Sequence, residues 1–205
     1  DKNTVTKFIS ENKIDTVIHF AAYAYVGEST LDPALYYKNN VEQTINLLDA
    51  VKECGVKKFV FSSTCSVYGN TDSEIITESE KIDPINPYAR TKYILEQVIK
   101  DFSNAYGINY VILRYFNAAG ADTDGMIGES HEPEPHLIPR VILNSLGRDI
   151  ELKVFGKDYP THDGTCIRDY IHVDDLVEAH YLSAKYLSAG GSSQLINLGT
   201  GKGSS

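Results

Sequence analysis

The sequence predicts an α/β fold in which a parallel β-sheet is flanked by helices. Apolar segments of strand length alternate with segments whose apolar residues recur at helical spacing, and this alternation is typical of parallel sheets. The strand segments are largely apolar throughout, as expected for strands that are buried on both faces. A chain of 205 residues, 42% of them hydrophobic, can form one large domain or one domain with a smaller lobe.

The first half of the chain contains three predicted strands and the helices that connect them. A helix at the N-terminus leads to a strand over 15–20. Apolar residues then recur at helical spacing over 33–53, and a second strand is predicted at 58–62. Another apolar stripe predicts a helix over 88–106, which leads to the third strand at 111–115. This order of elements favours three strands in one parallel sheet.

The second half has a different composition. Residues 118–139 are rich in Gly, Pro, Asp, Glu and His, which predicts a long functional loop or lid. A helix is predicted over 137–147 and a strand around 152–155. After a further loop, a second strand is predicted over 170–173, and a helix begins at Asp174.

The change in composition predicts a domain boundary. We assign residues 1–117 to the domain that contains the sheet and residues 118–205 to a smaller C-terminal lobe. The strand and helix at about 170–189 are expected to pack back on the sheet.

Candidate site residues follow each of the three strands. Phe20-Ala21-Ala22 ends the first strand, Ser62-Ser63-Thr64 ends the second, and Phe116-Asn117 follows the third. Parallel sheets bind ligands at the carboxyl ends of their strands. These residues are therefore expected at one edge of the sheet.

One part of a nucleotide-binding sheet has no counterpart in the sequence. Such sheets open with a strand, a Gly-rich turn and a helix whose N-terminus holds the pyrophosphate. The Gly-rich segment 199–203 lies near the end of the chain and lacks a following helix, which favours a loop. We therefore expect the chain to be a fragment that has lost its first βαβ unit.

Composition argues against several kinds of partner. The net charge is −9, whereas binding of nucleic acid needs a basic surface. No apolar run approaches the ~18 residues of a membrane helix, and the N-terminus lacks the pattern of a signal peptide. Cys54, Cys65 and Cys166 are widely spaced without metal-type pairing, which favours reduced thiols in a cytoplasmic protein. No metal site, nucleic-acid partner or membrane partner is expected.

A Tyr and a Lys on one helix face form the most informative pattern. Tyr88 and Lys92 lie four residues apart, so they share a helix face and could meet a hydroxyl at a strand end, such as Thr64. The spacing alone is weak, because 14 residues are Tyr and a second pair occurs at Tyr181 and Lys185. We interpret that second pair, in the middle of a helix, as a surface feature.

The context of the first pair supports a functional role. Asn86 is a good N-cap and Pro87 suits the first helical position. Tyr88 therefore stands at the start of a helix, where its phenol is able to face the strand ends. Together with Thr64, the pair predicts a site of proton transfer.

Five motifs occur in order along the chain. They are Thr64-x3-Tyr68-Gly69, Tyr88-x3-Lys92, Arg114-Tyr115-Phe116-Asn117, Phe155-Gly156-x-Asp158-Tyr159-Pro160-Thr161-x-Asp163-Gly164-Thr165 and Arg168-Asp169-Tyr170-Ile171-His172-Val173. In these motifs the chain resembles the extended short-chain dehydrogenase/reductase family and, more narrowly, its UDP-glucose 4-epimerases, and the likeness runs nearly from end to end.

The resemblance implies a Rossmann-like doubly wound parallel sheet, with the first βαβ unit missing, and a smaller C-terminal substrate-binding lobe. It also implies tightly bound NAD and the interconversion of UDP-glucose and UDP-galactose through a 4-keto sugar. Tyr88 would be the base, and its phenol would need positive charge from Lys92 and the oxidised nicotinamide to work as a phenolate. Thr64 would hydrogen-bond the 4-hydroxyl of the sugar. The implied catalytic residues are Thr64, Tyr88 and Lys92.

The same resemblance assigns the binding residues. Ala24 stands where some relatives carry Lys, and His136 stands where some carry Asn, so neither is assigned. Arg168 suits the pyrophosphate, because a guanidinium grips two oxygens at once; an ion pair with Asp169 or Asp174 is the alternative. The implied cofactor contacts are Phe20, Ala21, Ala22, Asn39, Ser62, Tyr88, Lys92 and Phe116. The implied substrate contacts are Thr64, Tyr88, Asn117, Leu137, Phe155 and Arg168.

Other readings of the chain remain open. A sugar-nucleotide 4,6-dehydratase is disfavoured, because Cys65 and Ser66 stand where the dehydratases carry an acid pair. Epimerases of UDP-pentoses, UDP-N-acetylhexosamines or UDP-uronic acids are harder to exclude, because part of the sugar pocket is expected beyond Ser205. A non-catalytic scaffold is a further alternative. The resemblance also implies a homodimer through the helices at 33–53 and 88–106, although packing on the sheet explains their apolar stripes as well.

Overall fold

The computed structural model describes residues 1–71, 73–148 and 151–205. The strands are β1 (Thr16–His19), β2 (Lys58–Thr64), β3 (Asn109–Tyr115), β4 (Asn117–Ala119), β5 (Arg168–His172), β6 (Gln194–Leu198) and β7 (Gly203–Ser204). The α-helices are α1 (Lys2–Glu11), α2 (Val26–Leu31), α3 (Pro33–Tyr36), α4 (Gln43–Glu53), α5 (Pro87–Tyr106), α6 (Leu137–Ser145) and α7 (Val173–Ser188).

The chain divides into two compact units. The first consists of Asp1–Tyr115 and Glu178–Leu198, and the second consists of Phe116–Val177 and Gly199–Ser205. None of the helices in the described part of the chain has the length and hydrophobicity that a membrane span requires.

The first unit is built on a parallel sheet of four strands in the order β1-β2-β3-β6. The three strands predicted at 15–20, 58–62 and 111–115 are confirmed, and β6 joins them as a fourth. The register pairs Thr64 with Tyr115 and Tyr115 with Leu198. The carboxyl ends of β2, β3 and β6 therefore lie side by side, which is where such sheets bind ligands.

The core of the first unit forms where the helices cover this sheet. Phe59 and Phe61 of β2 pack with Leu48 of α4 and Leu95 of α5, and all four side chains are fully buried or nearly so. Burial of each such side chain stabilises the fold by about 1.5–3 kcal/mol. The apolar stripes that predict the helices at 33–53 and 88–106 thus face the sheet.

The helix predicted over 33–53 is confirmed, but it is not uniform. A π-helical segment, Tyr37–Glu42, separates α3 from α4. Such segments are rare and occur frequently at functional sites. This one carries Asn39 and Asn40, and periodicity alone does not reveal the change in hydrogen bonding.

The second unit contains a short sheet in the order β4-β5-β7. Strands β4 and β5 are parallel, whereas β5 and β7 are antiparallel. The predicted helix at 137–147 is confirmed as α6, and the strand predicted at 170–173 is confirmed as β5, which begins two residues earlier.

The strand predicted around 152–155 is wrong. Residues 151–156 form no regular structure, and the side chains of Val154 and Phe155 are exposed. A strand needs a partner for its backbone hydrogen bonds, and no described strand pairs with this segment. The run of apolar residues therefore does not suffice to form a strand.

Candidate active site

Tyr88 lies in the first turn of α5, as its capping residues predict. The Asn86 side chain accepts a hydrogen bond from the backbone N–H of Ala89 at 2.9 Å, and Pro87 occupies the first helical position. This arrangement satisfies one of the otherwise unpaired N–H groups of the helix start. The Tyr88 side chain is only 8% exposed, so its phenol is held in the interior of the first unit.

The phenol of Tyr88 lies next to the hydroxyl of Thr64. Thr64 is the last residue of β2, and its Oγ1 also accepts from the backbone N–H of Ser66 at 3.1 Å. The Thr64 hydroxyl thus caps the turn that follows β2 and contacts the phenol at the same time. The two residues that the sequence predicts to meet are brought together.

The pKa of Tyr88 lies above its ordinary value. Burial is the main cause and the neighbouring Tyr115 adds to it, whereas the Thr64 hydroxyl works in the opposite direction. The two largest influences therefore favour the neutral phenol. For Tyr88 to act as a phenolate, positive charge near its oxygen has to outweigh burial.

Lys92 lies one turn after Tyr88 and is 2% exposed. Its Nζ donates a hydrogen bond to the carbonyl oxygen of Ser62 at 2.8 Å, and it lies 5.0 Å from the centroid of the Phe61 ring. Burial lowers the pKa of Lys92 to about 8. The ammonium of Lys92 is thus bonded to the backbone near the end of β2, and the phenol of Tyr88 lies at the same end, beside Thr64.

Ser62 connects this group to α7. Its hydroxyl and the Nε2 of His180 are hydrogen-bonded at 2.8 Å, and both residues are buried. The His180 ring lies 4.4 Å from the exposed ring of Phe20, measured between centroids. Tyr115, whose pKa is raised mainly by burial, also lies near Ser62. Phe20, which follows β1, and Ser62, which lies near the end of the neighbouring strand β2, therefore both contact His180.

The segment after β1 is held by Asn40. Its side chain accepts from the backbone N–H of Tyr23 at 2.9 Å, and it donates to the Tyr23 carbonyl at 3.0 Å and to the hydroxyl of Thr91 at 3.2 Å. Asn39 donates to the side chain of Asn40 at 3.0 Å. The exposed segment Phe20–Ala22 is thereby positioned by a buried amide.

A buried ion pair fixes α5 against the sheet. Arg114 of β3 grips both carboxylate oxygens of Glu96, with Nε–Oε1 and Nη2–Oε2 distances of 2.9 and 2.5 Å. The Ser63 hydroxyl donates to the same carboxylate at 2.6 Å, and Arg114 also donates to the hydroxyl of Tyr68 at 2.9 Å. Glu96 lies one turn after Lys92, so this pair holds the helix that carries Tyr88 and Lys92.

The second unit contains the remaining predicted residues. Asn117 of β4 donates to the carbonyl of Asp169 at 2.8 Å, which places it beside the start of β5. Arg168, the first residue of β5, is exposed, and its Nη1 donates to the carbonyl of Ile167 at 2.9 Å. Leu137, at the start of α6, and Phe155 are both exposed. Phe116 is half-buried.

The alternative ion pair of Arg168 does not form among the described residues. The carboxylate of Asp169 instead accepts hydrogen bonds from the backbone N–H groups of Thr200 and Gly201, at 3.0 and 2.9 Å. Asp174 lies near His172. The guanidinium of Arg168 therefore keeps most of its donors available for an anionic ligand.

Tyr181 and Lys185 lie on the surface, as predicted. The Tyr181 side chain is 59% exposed, and the Nζ of Lys185 lies 5.3 Å from the centroid of its ring. This pair has the same spacing as Tyr88 and Lys92 but none of their burial. It provides a matched control within the same unit.

Residues 1–199 match the family described as the NAD dependent epimerase/dehydratase family. The chain belongs to this family. A UDP-glucose 4-epimerase of Rhizobium meliloti (strain 1021) is 54% identical over 203 residues, which cover 99% of this chain and 62% of that relative.

Solved structures of family members are similar to the whole of this chain. The UDP-glucose 4-epimerase from Brucella ovis, in complex with NAD, is 51% identical with a TM-score of 0.97, and the match covers 100% of this chain and 63% of that chain. The UDP-Glc/GlcNAc 4-epimerase from Campylobacter jejuni is 41% identical with a TM-score of 0.82, and the match covers 100% of this chain and 62% of that chain. The chain thus spans about three fifths of the length of these relatives.

The sequence patterns do not identify three buried residues that lie near the predicted site residues. They are Asn40, Glu96 and His180, each of which is at most 2% exposed. Burial of a polar side chain requires a partner, but each of these partners lies far away in the chain. The one available signal was a polar residue on the sheet-facing side of an amphipathic helix.

Proposed function

We propose that this protein is a UDP-glucose 4-epimerase, which interconverts UDP-glucose and UDP-galactose through a 4-keto sugar. The observation that carries the proposal is the buried phenol of Tyr88 beside the Thr64 hydroxyl, with Lys92 one helical turn away and bonded to the backbone near the end of β2. A base, a hydroxyl partner and an ammonium at the carboxyl ends of a parallel sheet suit removal of a proton from a bound alcohol. The identity to UDP-glucose 4-epimerases supports the choice of substrate.

Tyr88 is the general base in this proposal. It takes the proton of the 4-hydroxyl group as the sugar is oxidised and returns it when the sugar is reduced on its other face. Thr64 lies beside the phenol, so its hydroxyl is able to orient the 4-hydroxyl and relay the proton. Both roles require the two side chains to be held in place, and burial and helix capping hold them.

The residues of the first unit suit NAD. The exposed segment Phe20–Ala22 follows β1 and carries small side chains at two positions, so a dinucleotide is able to approach the backbone. Lys92 uses one of its three ammonium hydrogens on Ser62 among the described contacts, which leaves donors for a ribose. NAD, when bound, supplies the hydride acceptor and donor for C4 and positive charge that favours the Tyr88 phenolate. The residues proposed to hold it are Phe20, Ala21, Ala22, Asn39, Ser62, Tyr88, Lys92 and Phe116.

Residues of the second unit are proposed to hold the UDP-sugar. Arg168 is exposed without an ion-pair partner among the described residues, so it suits a pyrophosphate. The exposed aromatic ring of Phe155 and the exposed Leu137 offer apolar contacts to the nucleotide. Asn117 stands beside the start of β5 and completes the set. Residues 118–205 would thus act mainly in substrate binding, and residues 1–117 in cofactor binding and chemistry.

A UDP-N-acetylhexosamine is the second candidate substrate. The Campylobacter jejuni enzyme, which is similar over this whole chain, is described as acting on both UDP-Glc and UDP-GlcNAc. The residues that contact the sugar therefore do not by themselves exclude a larger group at C2. Comparison of kcat/KM for UDP-galactose and UDP-N-acetylgalactosamine separates the two candidates.

We also propose that the protein is a cytoplasmic homodimer. Ile94 on α5 and Tyr37 in the π-helical segment expose apolar surface on the two helical regions expected to pair. Light scattering coupled to gel filtration measures the mass of the particle. A monomer at micromolar concentration would contradict the dimer.

The experiment that tests the function uses the protein in its full length. We expect the purified protein to release NAD on denaturation, as detected by chromatography, and to convert UDP-galactose to UDP-glucose without added cofactor. A protein that is free of NAD and remains inactive when NAD is added would contradict the proposal. We expect the 205-residue piece alone to bind NAD weakly or not at all, which a titration followed by fluorescence measures.

A further inference from the structure

A second cluster of chemically reactive side chains lies in the second unit, between β4 and α6. Glu129, His131, Glu134 and His136 each offer one ligand atom, and these atoms all lie within 4.8 Å of one another. Their spacing is Glu-x-His-x-x-Glu-x-His. The sequence predicts no metal site, because the cysteines lack metal-type pairing, and this His and Glu cluster has no part in the proposed epimerase chemistry.

The ligand atoms of the cluster all lie within 4.8 Å of one another, which is near the spacing of the ligands around a tetrahedral metal ion. The Nδ1 atom of His136 lies 2.8 Å from Oε1 of Glu129 and 2.7 Å from Oε1 of Glu134. The Nδ1 atom of His131 lies 3.0 Å from Oε1 of Glu129 and 3.7 Å from Oε2 of Glu134. Zinc bonds of about 2.0–2.1 Å put tetrahedral ligands about 3.3 Å apart. The observed separations lie on both sides of that value.

The charges of the cluster also favour a cation. The side chain of Glu134 is only 8% exposed, and a carboxylate at that depth needs a positive partner. The Nδ1 of His136 carries at most one hydrogen but faces oxygens of two different carboxylates at short distance, and one hydrogen does not satisfy both. A metal ion bound to both carboxylates and both imidazoles neutralises the carboxylates and uses these lone pairs.

The backbone holds two of the ligands in this position. The carboxylate of Glu134 accepts a hydrogen bond from the backbone N–H of His136 at 2.8 Å. Arg140 of α6 donates to the carbonyl of Glu134 at 3.1 Å. The rings of His131 and His136 lie 5.0 Å apart between centroids. The ligands are thus positioned by contacts among themselves and by Arg140 of α6.

We propose that Glu129, His131, Glu134 and His136 bind one divalent transition-metal ion, and that Zn²⁺ is the ion that fits best. Two imidazoles and two carboxylates suit Zn²⁺, whereas Mg²⁺ and Ca²⁺ prefer sites made of oxygen alone. Four protein ligands fill a tetrahedral site, which is typical of a structural metal rather than a catalytic one. The ion would fix the segment that leads into α6, and so the position of Leu137.

The test is a titration of the metal-free, full-length protein with ZnCl₂ in competition with a chromophoric chelator. We expect one tight Zn²⁺ per chain and, with Co²⁺ as a probe, the intense visible absorption of a tetrahedral complex. The double variant Glu129→Gln/Glu134→Gln keeps the shape of both side chains and should weaken Zn²⁺ binding by more than about 100-fold. His131→Ala/His136→Ala should do the same, whereas His162→Ala, at an exposed position in the same unit, should bind as the unchanged protein does.

Two results would overturn the proposal. One is the absence of a tight site with a stoichiometry of one, and the other is tight binding that survives in the Gln double variant. Because the Ala double variant also shortens two side chains, circular dichroism checks its fold. If it is unfolded, the Gln variant alone decides the outcome.

Discussion

Replacement of Tyr88 by Phe removes the proposed base and leaves the ring in place. The phenol lies beside the Thr64 hydroxyl, and loss of even a full hydrogen bond there costs only about 0.5–1.5 kcal/mol of stability. Thr64 keeps its bond to the backbone N–H of Ser66, so the end of β2 should not move. The fold is therefore expected to survive.

The expected effect on catalysis is much larger. A positioned general base contributes about 100- to 10,000-fold to the rate, which corresponds to about 3–5 kcal/mol of activation free energy. We expect kcat for Tyr88→Phe to fall by that factor, while the affinity for the UDP-sugar changes little. The contrast between a large kinetic effect and a small effect on stability is what distinguishes a base from a packing residue.

The assay follows conversion of UDP-galactose to UDP-glucose in the full-length protein, and urea unfolding measures stability beside it. Tyr181→Phe is the matched control, because Tyr181 has the same spacing to a Lys but is exposed. It should leave kcat unchanged. A kcat of Tyr88→Phe within about threefold of the unchanged protein, well short of the factor that a general base contributes, would refute the role of Tyr88.

Three further predictions concern the residues that hold the site. Glu96→Gln leaves the guanidinium of Arg114 buried without its carboxylate, so it should lower the free energy of unfolding by about 3–5 kcal/mol. The control Glu53→Gln breaks a surface pair with Lys2 and should lower it by only about 0–1 kcal/mol. Equal losses of stability in urea unfolding would contradict this difference between buried and surface pairs. Burial lowers the pKa of Lys92 from 10.5 to about 8 in the folded protein. The unfolded chain therefore binds more protons between these two pH values, and the free energy of unfolding should rise as the pH increases across that window. Lys92→Met should lose this rise, and an unchanged pH dependence of its unfolding would show that the ammonium is not buried. Asn86→Ala removes the cap of α5 and should lower the free energy of unfolding by about 1 kcal/mol. Asn104 is exposed near the end of the same helix, so Asn104→Ala should lower it by less. Thermal unfolding checks this, because Asn86→Ala should have the lower midpoint.

The parts of the structure that depend on neighbouring residues follow well from the sequence. Asn86 and Pro87 predict the start of α5 because capping acts within a few residues. The strands of the first unit follow from their apolar runs, since each is buried on both faces by its neighbours. The positions of Tyr88 and Thr64 are predicted for the same reason, because a helix start and a strand end are local features.

The parts that depend on distant partners do not follow from the sequence. The bond between Ser62 and His180 joins residues 118 positions apart, and no local pattern pairs them. The upward shift of the Tyr88 pKa has the same origin, because its main cause is burial among residues that are distant in the chain. The false strand at 152–155 shows the converse, since an apolar run forms no strand without a partner.

The fate of the hydrogen at C4 tests the proposed chemistry most directly. The full-length protein is given UDP-galactose that carries deuterium at C4 in ordinary water, and the UDP-glucose formed is analysed by mass spectrometry and NMR. If the same hydrogen is removed from C4 and returned to it, the product keeps its deuterium at C4, and this is the result we expect. A product that carries a solvent hydrogen at C4, or the absence of any product, would contradict it.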